Sequence, residues 1–141
     1  MSTMVFINLP VADLARSRAF YEALGYSINE LFSNDDGACV VVSDTIYVML
    51  LTPEFFGSFI PGHTVADARS AIGAQYALSC DSREAVDALV TRAVEAGGSP
   101  FEPRDLGFMY SRAFQDPDGH YWDPFWMEPA NAEEGPPAEY R

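Results

Sequence analysis

Apolar residues in this chain come in short runs closed by turn chemistry, and the same succession of runs occurs twice. Val5-Phe6-Ile7-Asn8-Leu9 reads as a strand stopped by Pro10. Asp13 then opens a helix through Leu24, with Gly25 at the position where a left-handed residue ends it. Leu14, Tyr21 and the Phe20/Leu24 pair form the apolar stripe of that helix, and Arg16 and Glu22 look outward. Residues 26–32, 38–42 and 46–51 read as three further strands, the first two separated by Ser33-Asn34-Asp35-Asp36-Gly37. The first half is therefore βαβββ. The second half repeats it: a strand from Gln75 to Cys80, a helix opened by an Asp81/Glu84 capping box and ended at Gly97-Gly98, a strand over 99–102, and a hairpin of 108–114 with 120–127. Ala-Leu-Gly-Tyr-Ser from Ala23 matches Glu-Ala-Gly-Gly-Ser from Glu95, which marks an internal repeat.

Between the repeats, residues 52–73 hold Pro53, Pro61 and the apolar cluster Phe55-Phe56-Phe59-Ile60. Two short helices are expected there, near 53–59 and 65–71, packing over one end of a sheet or forming a lid. The expected organisation is one domain over 1–128: module 1 at about 4–52, a linker or lid at about 53–74, and module 2 at about 75–128. The segment 129–141, rich in Pro and Glu, is expected to lack fixed structure.

Charge narrows the partners. Asp and Glu number 21 against 8 Lys plus Arg, a formal net charge of −13. Such a field repels phosphate backbones, so nucleic acid is not an expected partner. No stretch of about 20 apolar residues offers a membrane span, and the N-terminus lacks the basic region of a signal peptide. The expected compartment is the cytoplasm. Cys39 and Cys80 sit in apolar runs without metal or redox spacing, as buried free thiols do.

The densest chemistry lies at Asp116-Pro117-Asp118-Gly119, a turn signature, followed by Tyr121-Trp122-Asp123-Pro124-Phe125-Trp126. Strand alternation puts Tyr121, Asp123 and Phe125 on one face, and Trp122, Pro124 and Trp126 on the other. One carboxylate thus stands in an aromatic strand, where an unpaired charge is costly. Asp118 reads as a turn residue that serves folding only.

Val11-Ala12-Asp13-Leu14, Phe20-Tyr21, Leu24-Gly25, Asp81 and the Asp-Pro-Asp-Gly turn, in this order on a doubled βαβββ pattern, resemble the vicinal oxygen chelate superfamily of glyoxalase I, extradiol dioxygenases, and bleomycin and fosfomycin resistance proteins. The resemblance covers residues 4–127. It implies an α+β fold of two βαβββ modules, their mixed sheet curled around a cavity, assembled as a homodimer. In the metal-binding members one ligand comes from the first and one from the last strand of each module; these positions fall here at Phe6, Leu50, Gln75 and Asp123. Phe6 and Leu50 offer no donor. Gln75 and Asp123 offer one oxygen each, a set that seldom holds a transition metal against water. Of the two histidines, His63 lies in the long loop, and His120 falls by parity on the face away from Asp123.

The resemblance and these residues together imply a small-molecule-binding protein of the glyoxalase/bleomycin-resistance type with a degenerate metal site and no cofactor. Its ligand site is expected at Phe6, Asn8, Val48, Leu50, Gln75, Ala77, Tyr121, Asp123 and Phe125, with Arg104 or Arg112 available to an anionic group. The alternative for Asn8, Gln75 and Asp123 is a buried polar network satisfied internally. The competing function is a metal-dependent lyase, isomerase or dioxygenase using Gln75 and Asp123 with a histidine from the loop or a partner subunit. A metal-free variant of that chemistry would make Asp123 an acid–base catalyst.

Overall fold

The computed structural model describes residues 2–141, which fall into two units. The first runs up to Ala71 and includes the turn Pro117–Gly119; the second holds Ile72–Asp116 and His120–Arg141. In the first unit the order is β1 (Val5–Pro10), α1 (Leu14–Ala23), β2 (Ser27–Asn29), β3 (Gly37–Val41), β4 (Ile46–Leu51) and α2 (Pro53–Ser58). Its four strands lie in the order β1-β4-β3-β2, with β1 parallel to β4 and the other pairs antiparallel. Asp13 caps α1 by accepting from the Arg16 N–H at 3.0 Å. Ser17, Phe20, Tyr21 and Leu24 are the buried residues at the inner side of this helix, which packs on β3 and β4. Leu14, expected in the stripe, is only half-buried.

The second unit contains β5 (Gln75–Ser79), α3 (Arg83–Glu95), β6 (Ser99–Pro100), β7 (Arg104–Asp105), β8 (Met109–Ser111), β9 (Phe114–Gln115), β10 (Tyr121–Met127) and α4 (Pro129–Glu134). β10 is its centre: β5 pairs parallel along one edge, and β9 and β8 pair antiparallel along the other. β6 and β7 continue outward from β9 and β8. Taking β8 with β9, and β6 with β7, as two interrupted strands gives the order of the first unit again. The repeat is thus a repeat of topology, and both helices end on a glycine with φ near +105°, Gly25 and Gly97.

Several sequence expectations shift for identifiable reasons. The strand expected over 26–32 ends at Asn29, whose side chain accepts from the Leu31 N–H at 3.1 Å and turns the chain into a 3₁₀ turn over Glu30–Phe32. The capping residue of α3 is Ser82, whose Oγ accepts from the Ala85 N–H at 3.0 Å, instead of Asp81. The strand expected over 99–102 stops at Pro100; the Phe101 N–H still donates to the Ala113 carbonyl at 2.9 Å, and Pro103, which has no N–H, interrupts the ladder before β7. The helix expected over 65–71 is a single turn: Asp67 accepts from the Arg69 N–H and the Ser70 hydroxyl, local bonds that compete with helix propagation. Residues 129–141, expected without structure, carry α4 and a 3₁₀ turn over Ala138–Tyr140, and the Tyr140 ring rests on Phe108 with centroids 5.2 Å apart. Among the described residues no helix is long and apolar enough to cross a membrane.

Candidate functional site

Strand register decides which residues share a face. In the second unit Gln75 lies opposite Tyr121, Ala77 opposite Asp123 and Ser79 opposite Phe125. Trp122 and Pro124, at alternate positions, are buried. On the same side as these, Tyr110 and Trp126 take the guanidinium of Arg83 from α3, 5.3 and 5.1 Å from the ring centroids. Tyr121, Asp123 and Phe125 therefore stand on the face away from α3, half-buried, beside the exposed Gln75 and Ala77. All five site residues expected in this unit are brought together.

The first unit corrects the sequence reading. Phe6 lies opposite Tyr47, with rings stacked at 4.6 Å, and Asn8 lies opposite Met49. Phe6 and Asn8 do share an exposed face. Val48 and Leu50, expected with them, are 0 % exposed and alternate to the opposite face, under α1. Matching the Phe6–Tyr47 pair to the Gln75–Tyr121 pair makes Met49, not Leu50, the counterpart of Asp123 in the repeat. Strand β4 (Ile-Tyr-Val-Met-Leu-Leu) is apolar on both faces, so alternation carried no parity signal there. Tyr47 and Met49 were missed for the same reason, although the repeat of Tyr121 in Tyr47 was available as a marker.

Asp123 is the electrostatic centre of the second face. Burial pushes its pKa above the ordinary carboxylate range, and Arg104 pulls it partly back. No hydrogen bond or ion pair to Asp123 exists among the described residues. The internal polar network weighed for this residue is therefore absent on its side chain. Of the two arginines, Arg112 is occupied, its Nε–H donating to the Phe101 carbonyl at 3.1 Å. Arg104 makes no such bond. Its β7–β8–β10 register places it in line with Ser111 and Phe125, on the Asp123 face. Phe101 closes the rim, its ring 5.1 Å from that of Tyr121.

At the ligand positions that the resemblance implies, the first unit has Phe6 and Met49 and the second has Gln75 and Asp123. Neither pair by itself offers the donors of a divalent centre, and among the described residues no three or more His, Cys, Asp or Glu are grouped to hold a metal ion. His120 is buried beside the turn, its N–H donating to Asp116 Oδ1 at 2.9 Å, and His63 is exposed with Nδ1 3.3 Å from the Pro61 carbonyl. Cys39 and Cys80 are free, and burial raises both thiols above their ordinary pKa, which makes them poor nucleophiles.

Residues 3–43 match the bleomycin resistance protein-like N-terminal family. No curated protein sequence matches the chain. Among solved structures, the chain is similar to a hypothetical protein of S. aureus, with 27 % identity and a TM-score of 0.74 over 90 % of this chain and 95 % of that one. A glyoxalase/bleomycin resistance protein/dioxygenase family enzyme of Burkholderia phytofirmans PsJN superposes with a TM-score of 0.75 at 18 % identity, over 89 % of this chain and 99 % of that one. An antibiotic-binding protein of Streptomyces sp. CB03234 follows at 19 % identity and a TM-score of 0.63, over 90 % and 97 %. The doubled βαβββ topology of the chain is the fold of these glyoxalase/bleomycin resistance structures, and its N-terminal segment matches the bleomycin resistance protein-like N-terminal family.

Proposed function

We propose that this protein binds a small organic molecule, with the metal centre of its superfamily lost, and that the face of β5 and β10 carries the polar anchor. The observation behind this reading is Asp123: a half-buried carboxylate among aromatic residues, with no protein partner. Ligand sites combine apolar walls with a few convergent polar groups, and Tyr121, Phe125, Gln75 and Asp123 make such a set. The stacked Phe6 and Tyr47, with Asn8, supply an aromatic and polar face on the first unit. An antibiotic-binding protein of the same fold is in keeping with this reading. A two-fold dimer belongs to it as well.

Metal analysis of the dialysed protein tests the lost centre; near one divalent ion per chain would defeat it. Ligand binding is tested by screening small molecules for a rise in melting temperature, since a ligand at about 100 times its Kd stabilises by roughly 2.7 kcal/mol. Asp123→Asn should keep or slightly raise the melting temperature of the free protein and weaken the ligand found by tenfold or more. Its pH dependence has a defined sign. With a raised folded-state pKa, the folded chain holds the Asp123 proton longer than the unfolded chain does. Stability from this group is therefore greatest at acid pH and declines as pH rises from the ordinary carboxylate value through the raised one. Asp123→Asn should remove that decline; an unchanged pH profile would speak against the strained carboxylate.

A further inference from the structure

We propose that the ligand is an ampholyte, a ring-bearing small molecule whose ammonium group meets Asp123 and whose carboxylate meets Arg104. This rests on the binding reading above and names the chemical class it takes. Three observations in the second unit support it. First, Asp123 and Arg104 are opposite charges on one sheet face, and neither has a hydrogen bond or ion pair among the described residues. They are near enough for Arg104 to act on the Asp123 carboxylate electrostatically, yet no salt bridge joins them. Strands β10 and β7 are two ladder steps apart, about 10 Å, which leaves room for a bridging group.

Second, the acceptors favour an ammonium. Gln75, opposite Tyr121, brings an amide oxygen to the strand beside Asp123, so a carboxylate and an amide oxygen lie on adjacent strands for a group that only donates. Third, the spaces beside these groups are aromatic: Phe125, two residues along β10 from Asp123, lies in line with Ser111 and Arg104, and the Phe101–Tyr121 pair borders the other side. An organic cation gains from ring faces as well as from the carboxylate. A purely cationic ligand would leave Arg104 repelled, and a purely anionic one would meet Asp123. A molecule carrying both charges satisfies the two groups at once.

Four related probes separate the charges: phenylalanine, phenethylamine, 3-phenylpropanoate and 3-phenylpropanol. Binding is read from backbone amide shifts of residues 104 and 121–125 in the full-length protein. Phenylalanine should bind at least tenfold more tightly than any of the other three. Asp123→Asn should abolish its advantage over 3-phenylpropanoate, and Arg104→Gln its advantage over phenethylamine. Both positions are on an open face, and thermal melts establish that each variant is folded. Equal binding of phenylalanine and the neutral alcohol, or of phenylalanine and either singly charged probe, overturns the ampholyte while leaving small-molecule binding intact. If no probe moves these amides up to about 10 mM and the general screen is also empty, the binding reading falls with it.

Discussion

Replacing Gly119 with alanine should lower stability by about 3–5 kcal/mol, the largest effect expected of any single methyl group added to this chain. Gly119 has φ of +93°, a backbone region that costs a non-glycine residue of its size about 1–3 kcal/mol. A Cβ there would also stand 2.8 Å from the Ala68 carbonyl carbon and oxygen and from the Arg69 nitrogen. All three are backbone atoms, so no rotamer change can relieve the overlap, and overpacking of this kind adds about 1–3 kcal/mol. The consequence is local to the first unit, where the turn Pro117–Gly119 lies against the end of the 53–74 segment. Arg69 fixes that contact by donating from Nη2 to the Pro117 carbonyl at 3.1 Å. Gly62→Ala is the control: its φ of +83° is similar, but nothing lies within 4 Å of its Cβ, so only the same conformational cost of about 1–3 kcal/mol applies. Thermal melts should put Gly119→Ala on the order of 10 °C below the parent and well below Gly62→Ala. Equal melting of the two variants would mean that the turn does not press on Ala68.

The same close approach explains where sequence reasoning stopped. The Asp-Pro-Asp-Gly signature locates a turn, because each residue type has a local conformational reason to be there. What the turn touches is a nonlocal matter. Nothing around Ala68-Arg69 signals a partner about fifty residues away, and the segment was read as a second short helix. Elements bounded by strong local chemistry were legible: α1 between Asp13 and Gly25, β4, α2 from its Thr52 cap and Pro53, and the final hairpin. Those that shifted did so where a side chain competed with the ladder, as Asn29 does, or where two good capping residues adjoin, as Asp81 and Ser82 do.

The candidate site was legible in proportion to its polar marks. On β10 the alternation of Trp122 and Pro124 with Tyr121, Asp123 and Phe125 sets the parity, and the parallel register with β5 carries Gln75 and Ala77 along. On β4 no polar residue breaks the run from Ile46 to Leu51, and Val48 and Leu50 were assigned to the wrong face. Arg104 and Arg112 were indistinguishable in sequence. Only the bond from Arg112 to the Phe101 carbonyl separates the occupied arginine from the free one.

Asp118 should prove the structural counterpart of Asp123. It lies in the turn, yet its carboxylate reaches the start of α1: Oδ1 accepts from the Ala12 N–H at 2.9 Å and Oδ2 from the Ser17 hydroxyl at 3.2 Å. Ser17 is fully buried in the middle of the α1 stripe, which explains a polar residue there. Arg16 and Arg69 approach Oδ1 at 3.3 and 3.8 Å, but both are about half exposed, so solvent screening leaves their share small. An anionic group beside a helix N-terminus gains further from the helix dipole. Asp118→Ala strands the buried Ser17 hydroxyl, at about 1–3 kcal/mol, and removes the acceptor of the part-buried Ala12 N–H, so it should cost about 3 kcal/mol in all. Asp118→Asn keeps one carbonyl oxygen and should cost about half as much. Asp123→Asn should cost nothing, because no protein group depends on that carboxylate. Urea unfolding of the three variants therefore has a required order of midpoints, with Asp123→Asn highest and Asp118→Ala lowest. If Asp123→Asn falls below Asp118→Asn, the carboxylate on the aromatic face is holding the fold together, and the ligand assigned to it loses its anchor.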